Sequence, residues 1–141
     1  MRLAALGRDP SGKPKGVVIV RGVLSRDPEA TAVYYERMFG AEVSRSMQQG
    51  KPRVDLKMGP VTVFILDVSD DTKVGPAPAH THLGLDHIGM KVTGIDVVSA
   101  ELKAKGAVFT MEPTTIRPGV RIAFIAGPEN VSIELLERIP V

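Results

Sequence analysis

The sequence predicts an α+β fold made of two tandem βαβββ modules, and three observations carry that reading. Short β-branched runs alternate with two helix-like segments, and the order strand, helix, strand, strand, strand occurs twice. Sliding one half over the other by about 67 residues superimposes Gly22 on Gly89, Asp27 on Gly94 and Val20 on His87. A stretch rich in Pro, Gly and polar residues separates the two copies.

Residues 1–15 mix Arg, Lys, Pro, Gly and Asp with few large apolar residues and read as a flexible N-terminal arm, which leaves 16–138 as one domain. Module 1 spans about 17–67. Its first strand opens at Val17 and continues through Val23 and Leu24, a β-branched run of the kind found in buried strands. Asp27-Pro28-Glu29 starts a helix: Asp caps, Pro fits the first turn, and Glu complements the positive end of the dipole. Val33, Tyr34, Met38 and Phe39 follow, and Gly40 ends the helix. Strands are expected at 41–47, 53–58 and 61–67, with Gly59-Pro60 as the turn between the last two. The linker covers 68–84. Module 2, residues 85–138, repeats the pattern: a strand at 85–92, then a helix capped near Thr93 with Ile95, Val98 and Leu102 on one face and Gly106 at its end. Strands at 107–111, 120–125 and 131–137 complete it, with Gly127-Pro128-Glu129-Asn130 as the hairpin turn. Residues 112–119, containing Pro113, Arg117 and Pro118, read as a loop.

Composition narrows the function. At 141 residues one domain is expected, and a chain of this size buries roughly 68–70% of its unfolded surface, enough to need no covalent staple. The absence of Cys removes disulfides, thiolate metal sites and a Cys nucleophile, and it fits a reducing, cytoplasmic setting. No apolar run resembles a secretory signal or reaches membrane-spanning length. The formal charge of +2 is small, its basic residues are scattered, and aromatic residues are few, so neither nucleic acid nor a membrane is an expected partner. The glycines match neither a dinucleotide fingerprint nor a phosphate loop, which argues against a nucleotide cofactor.

Two residues sit awkwardly in predicted core strands. His87 lies in the strand that opens module 2, and Glu134 is flanked by Ile133 and Leu135 in the strand that closes it. A carboxylate buried among aliphatic residues costs several kcal/mol unless a metal, a cation or a proton compensates it. If the two strands are neighbours with both residues on one face, a His nitrogen and a Glu oxygen supply half of a divalent metal site. A strand His also reads as a buried ring satisfied by a backbone carbonyl or by Glu134, and Glu134 as a solvated strand residue. Alternation puts Ile88, Met90 and Val92 on one face and His87, Gly89 and Lys91 on the other.

With Asp86-His87-Ile88-Gly89, the helix from Asp96 to Gly106 followed by Ala107, and Gly127-Pro128 leading into Ile133-Glu134-Leu135, the duplicated chain resembles the vicinal oxygen chelate superfamily. That group holds glyoxalase I, methylmalonyl-CoA epimerase, fosfomycin and bleomycin resistance proteins, and extradiol dioxygenases. The resemblance implies that the modules form a curved mixed sheet, a cup with helices on its convex side and a small-molecule ligand inside. It implies metal-ligand positions at His87 and Glu134 in module 2, with Glu134 also the candidate catalytic base. In module 1 the matching positions fall on Val20, or Arg21 if the alignment slips by one, and on Phe64, or Asp67 if the loops are of equal length. Val20 and Phe64 carry no donor, and Arg21 stays protonated, so the ligand set for Zn, Ni, Mn or Fe is incomplete. His80 and His82, on the same side of an extended linker, are the available replacements. Val20, Phe64, Lys91 and Arg121 are the candidate substrate-binding residues, the last two for an anionic group.

Two functions follow from the resemblance. One is a glyoxalase-like enzyme of lyase, isomerase or epimerase type acting on a small oxygenated metabolite; dioxygenase chemistry ranks lower, because it needs two His and one carboxylate and only His87 is secure. The other is a metal-free binding protein of the bleomycin-resistance type, favoured by the apolar Val20 and Phe64. A homodimer is expected in either case, since a curved sheet in a small domain leaves edges that need cover.

Overall fold

The computed structural model describes residue 11, residues 20–79 and residues 82–140, with Val20 and Arg21 described by their backbone alone. Module 1 runs β1 (Val20–Ser25), α1 (Pro28–Phe39), β2 (Glu42–Gln48), β3 (Lys51–Met58) and β4 (Val61–Asp67). Module 2 runs β5 (His87–Lys91), α2 (Ile95–Ala104), β6 (Val108–Arg117), β7 (Val120–Ala126) and β8 (Ser132–Arg138). Each module folds into a four-stranded mixed sheet, ordered β1-β4-β3-β2 and β5-β8-β7-β6. In both, the first strand pairs in parallel with the last, and the remaining pairs are antiparallel. The fold is α+β, as the repeat predicts. The expected N-terminal arm and the start of the first strand at Val17 fall outside the described residues, apart from Ser11.

Local chemistry sets the helix limits. The Asp27 carboxylate accepts from the Ala30 amide at 2.9 Å, Pro28 occupies the first turn, and Gly40 closes α1 in the left-handed region at φ 66°. The cap of α2 differs from the expectation at Thr93. Gly94 takes the cap position at φ 72° and has no side chain to offer, so the buried Glu137 of β8 reaches across instead. Its carboxylate accepts from the amides of Gly94 and, at 3.3 Å, Ile95. A helix N-terminus carries orphan N–H groups and a positive dipole, and both favour that carboxylate.

Strand alternation builds one core. Val54 and Leu56 of β3, Val63 and Ile65 of β4, Ala123 and Ile125 of β7, and Ile133 and Leu135 of β8 pack with Ala32, Tyr35 and Met38 of α1 and with Ile95 and Leu102 of α2. Each large aliphatic side chain so buried contributes roughly 1.5–3 kcal/mol. The intervening residues of every strand point to the opposite face, which carries no helix. That open face carries His87 and Glu134.

β5 and β6 depart most from the expected limits. β5 is shorter, His87–Lys91 rather than 85–92. The expected loop at 112–119 is strand through Arg117, and only Pro118 and Gly119 form the turn. Register shifts between Met111 and Thr114 interrupt the ladder around Pro113, where a residue without an N–H is tolerated. Among its described residues the linker contains neither helix nor strand, and side chains tether it. Arg26 donates to the carbonyls of Val68 and Val74 at 3.4 and 3.2 Å, and Asn130 donates to the Pro78 carbonyl at 2.5 Å. The Glu129 carboxylate joins the modules, accepting from the Arg26 amide at 2.8 Å and from Ser25 Oγ at 3.3 Å.

Candidate functional site

The strand registers bring His87 and Glu134 together. β5 lies beside β8 with Gly89 opposite Glu134 and His87 opposite Ser132, so the two candidate side chains share the open face one pleat apart. His87 Nε2 stands 3.3 Å from Glu134 Oε2, and His87 Nδ1 stands 2.8 Å from Asp86 Oδ2. A carboxylate at Nδ1 fixes a proton there, which turns Nε2 toward Glu134. Nε2 and Oε2 then face each other, and a shared proton or a cation between them satisfies both. Only 16% of the Glu134 side chain is exposed, against 36% for His87. Phe124, opposite Glu134 across β7 and β8, sets its ring edge-on to the imidazole with centroids 5.4 Å apart. A Cβ on Gly89 would stand 3.3 Å from Glu134 Oε2, so a glycine leaves the carboxylate room to lie across β5.

In module 1, β1 pairs with β4 so that Gly22 faces Phe64 and Val20 faces Thr62. α1 begins at Pro28 and α2 at Ile95, the same slide of 67 residues that superimposes Val20 on His87 and Gly22 on Gly89. The last strands need a slide of 70, from Phe64 to Glu134. Phe64, not Asp67, therefore occupies the position of Glu134. Asp55 lies opposite Phe64 on β3, and the Arg53 guanidinium lies 4.5 Å above the Phe64 ring, paired with Asp55 at 2.7 Å.

The remaining candidates disperse. Lys91 is exposed at the end of β5, on the His87 side by alternation. Arg121 does not line that face: it bonds Asp96 in the first turn of α2, with Nη2 2.9 Å from Oδ1. Residue 121 shares its side of β7 with the core residues Ala123 and Ile125, which places it with the helix. The Asp96 bond holds the guanidinium above its ordinary range, and that same bond holds the Asp96 carboxyl below its own. His82 Nε2 is 2.9 Å from the Leu85 carbonyl oxygen, just ahead of β5, and His80 lies outside the described residues. The sequence reading missed Asp86, Phe124, Arg53 and Asp55.

The divalent metal implied by the resemblance fits in part. Two ligands about 2.1 Å from one ion are about 3.0–3.4 Å apart, which matches the His87–Glu134 separation. The other two register positions are Val20 and Phe64, which have no donor atoms. Among the described residues no group of three or more His, Cys, Asp or Glu could hold a metal. The donor set does not complete a metal centre.

Two cavities flank His87 where the modules meet. One, of about 310 Å³, is lined by Leu24, Val74, Pro76, His82, Asp86 and His87 among others; the second, of about 790 Å³, by Phe39, Pro60, His87, Gly89 and Lys91 among others. Neither is lined by Phe64, Phe124 or Glu134. No helix among the described residues is long and apolar enough to cross a membrane.

A family model described as Glyoxalase/Bleomycin resistance protein/Dioxygenase superfamily matches residues 21–124. No curated protein matches the chain. Among solved structures, a member of that superfamily from Sphaerobacter thermophilus DSM 20745 is 19% identical with a TM-score of 0.68, covering 88% of this chain and 98% of its own. TioX from Micromonospora sp. ML1 is 21% identical with a TM-score of 0.66, covering 88% and 100%. A lactoylglutathione lyase from Agrobacterium tumefaciens is 20% identical with a TM-score of 0.64, covering 89% and 96%. At such identities the likeness is one of fold.

Proposed function

Because the chain belongs to the glyoxalase/bleomycin resistance protein/dioxygenase superfamily, we propose that it is a glyoxalase-like enzyme of lyase, isomerase or epimerase type, moving a proton on a small oxygenated metabolite. The observation that supports this most is the run of three side chains Asp86, His87 and Glu134, linked at 2.8 and 3.3 Å on the open face of module 2. A half-buried carboxylate beside an oriented imidazole is the equipment of acid–base catalysis. In this reading Glu134 takes the proton from a C–H bond next to a substrate carbonyl, and the bonding electrons move onto the carbonyl oxygen. With Nδ1–H held by Asp86, a second proton on Nε2 makes the ring an imidazolium, and in that form Nε2–H donates to that oxygen as charge develops there. Return of the proton from Glu134 to the same carbon or its neighbour completes epimerisation or isomerisation. Phe124 covers the imidazole on one side and limits water. No step is routed through a metal, because Val20 and Phe64 leave the donor set short.

The wall facing Glu134 is supplied, in this reading, by a second copy of the chain, so the protein is a homodimer. Light scattering should give about twice the 15.1 kDa chain mass, and a clean monomer would remove any site built from two chains.

Exchange of C–H hydrogen for deuterium tests the chemistry, followed by proton NMR over a panel of small 2-oxo and 2-hydroxy carbonyl compounds in D₂O. The protein should accelerate exchange in at least one, and Glu134→Gln should cut that rate by about 100-fold or more while the melt stays cooperative. No exchange across the panel, or an unchanged rate in Glu134→Gln, contradicts the proposal. The second reading, a metal-free binding protein of the bleomycin-resistance type, is favoured by Phe64 standing in the ligand position of module 1. It predicts binding without exchange and indifference to Glu134→Gln.

A further inference from the structure

We propose that the open face of module 1 is a binding site for an organic carboxylate, built on Arg53, and that it holds the charged end of the substrate. The second half of this statement rests on the function proposed above; the first half stands alone.

Arg53 is held as a receptor rather than as a solvated surface charge. Its side chain is only 21% exposed. The guanidinium lies face-on to Phe64 at 4.5 Å, Nε donates to Asp55 Oδ2 at 2.7 Å, and Nη1 donates to Gln48 Oε1. Three neighbours on β2, β3 and β4 thus fix the plane of the fork. Nη2 bonds no protein acceptor among the described residues. Nη2 and the second hydrogen of Nη1 therefore remain for a ligand, and a carboxylate can accept from them. Because the side chain is already ordered, little rotamer entropy is lost when a ligand arrives. Asp55 engages Nε, on a different edge, so it orients the fork without occupying it. It also shares the positive charge, and a single carboxylate should bind only in the millimolar range.

The position gives the site its meaning. Phe64 occupies in module 1 the place that Glu134 holds in module 2, so Arg53 stacks on the residue that replaces the acid. Ser46, the cross-strand partner of Arg53, carries an exposed side chain on the same face, with a hydroxyl able to donate to the same anion. The residue of module 2 that corresponds to Arg53 is Ile122, two positions before Phe124 as Arg53 is two before Asp55. One open face carries a guanidinium and the other an acid and an imidazole.

Calorimetry of the full chain with benzoate, and with benzyl alcohol as its uncharged counterpart, tests the site without turnover. Benzoate should bind, and benzyl alcohol should bind at least about tenfold more weakly. Arg53→Gln should weaken benzoate by about tenfold or more, and Arg53→Lys, which keeps the charge and loses the fork, by about threefold or more. Arg121→Gln, on the helix-bearing face, should leave benzoate binding unchanged. Should Arg53→Gln fail to fold, Arg53→Lys decides. Benzoate binding no tighter than benzyl alcohol, or equal in wild type and the folded Arg53 variant, overturns the proposal. Either result leaves the exchange experiment on Glu134 untouched, so the two readings fail separately.

Discussion

The two modules share a backbone and exchange their chemistry. At the matched cross-strand pair on the open face, module 1 sets Asp55 against Phe64, and module 2 sets Phe124 against Glu134. The acid and the ring have changed strands. In module 1 the acid is claimed by Arg53 at 2.7 Å, and in module 2 the place of that arginine is taken by Ile122, which cannot pair with Glu134. Glu134 instead has His87 at 3.3 Å. A duplicated fold therefore separates structural from chemical symmetry: the strand pairings repeat with slides of 67 to 70 residues, and two or three side chains on the exposed pleat set the two copies apart.

The turns before the last strands provide the strongest way to break the comparison. Gly59 in module 1 sits at φ 58° with open space around it, whereas Gly127 in module 2 has an ordinary φ of −88° and no room. A Cβ there would stand 2.8 Å from Ile133 Cδ1 and 3.3 Å from the Val131 carbonyl oxygen. Gly127→Ala should lower stability by about 1–3 kcal/mol through overpacking. Gly59→Ala should cost about 1 kcal/mol through backbone strain alone. Urea unfolding of both variants checks the order, and equal losses would mean that the two turns are not differently constrained.

Val20→His sharpens the comparison at the site. It places an imidazole at the register position that matches His87, and it should raise affinity for Zn(II), Ni(II) or Mn(II) by more than about tenfold, or about 1.4 kcal/mol. Calorimetry on a folded variant showing unchanged affinity would mean that position 20 does not converge on the His87–Glu134 pair.

A smaller effect separates the glycines beneath the two sites. Gly89→Ala pushes on the Glu134 carboxylate at 3.3 Å, and Gly22→Ala meets nothing within 4 Å. The first should slow the proposed exchange reaction several-fold, and the second should leave it unchanged; a thermal shift within about 0.5 kcal/mol is expected for both. Equal rates would show that Glu134 needs no clearance over β5.

The smallest effect lies on the helix-bearing face. The bond to Arg121 holds the Asp96 carboxyl below the usual carboxylate range. A depressed acid contributes stability that is fully present above its unfolded pKa of about 4 and is lost as pH falls through its folded value. The pair is exposed and the contribution is small. Asp96→Asn should lower the melting temperature slightly near pH 7 and not at all in strong acid, and a difference that grows on acidification would reverse the assignment.

Much of this architecture is legible in the sequence because it depends on short-range rules. Asp27-Pro28 and Gly40 bound α1, and the alternation of Ile133, Glu134 and Leu135 puts the acid opposite the core. The offset that matches Phe64 to Glu134 is also legible, once a three-residue difference in loop length is allowed. What is not legible depends on partners far along the chain. Glu137 reads as a charge at a strand end until β8 is laid beside the start of α2. Arg53 reads as a solvated charge until β3 and β4 pair and bring Phe64 beneath it. Residues 112–117 carry a proline that signals a loop, and only the pairing with β7 reveals an interrupted strand. Arg121 is a different case. The alternation that put His87 on the open face, applied to Arg121, Ala123 and Ile125, assigns the arginine to the helix side.

The central claim is that the acid of module 2 moves protons and the acid of module 1 does not. Its most direct test is the rate of C–H exchange into D₂O for wild type, Glu134→Gln and Asp55→Asn on the same compound. The account predicts a loss of about 100-fold or more for Glu134→Gln. For Asp55→Asn it predicts a retained rate at saturating substrate, with any loss confined to KM. A larger fall in the saturated rate for Asp55→Asn than for Glu134→Gln would contradict it.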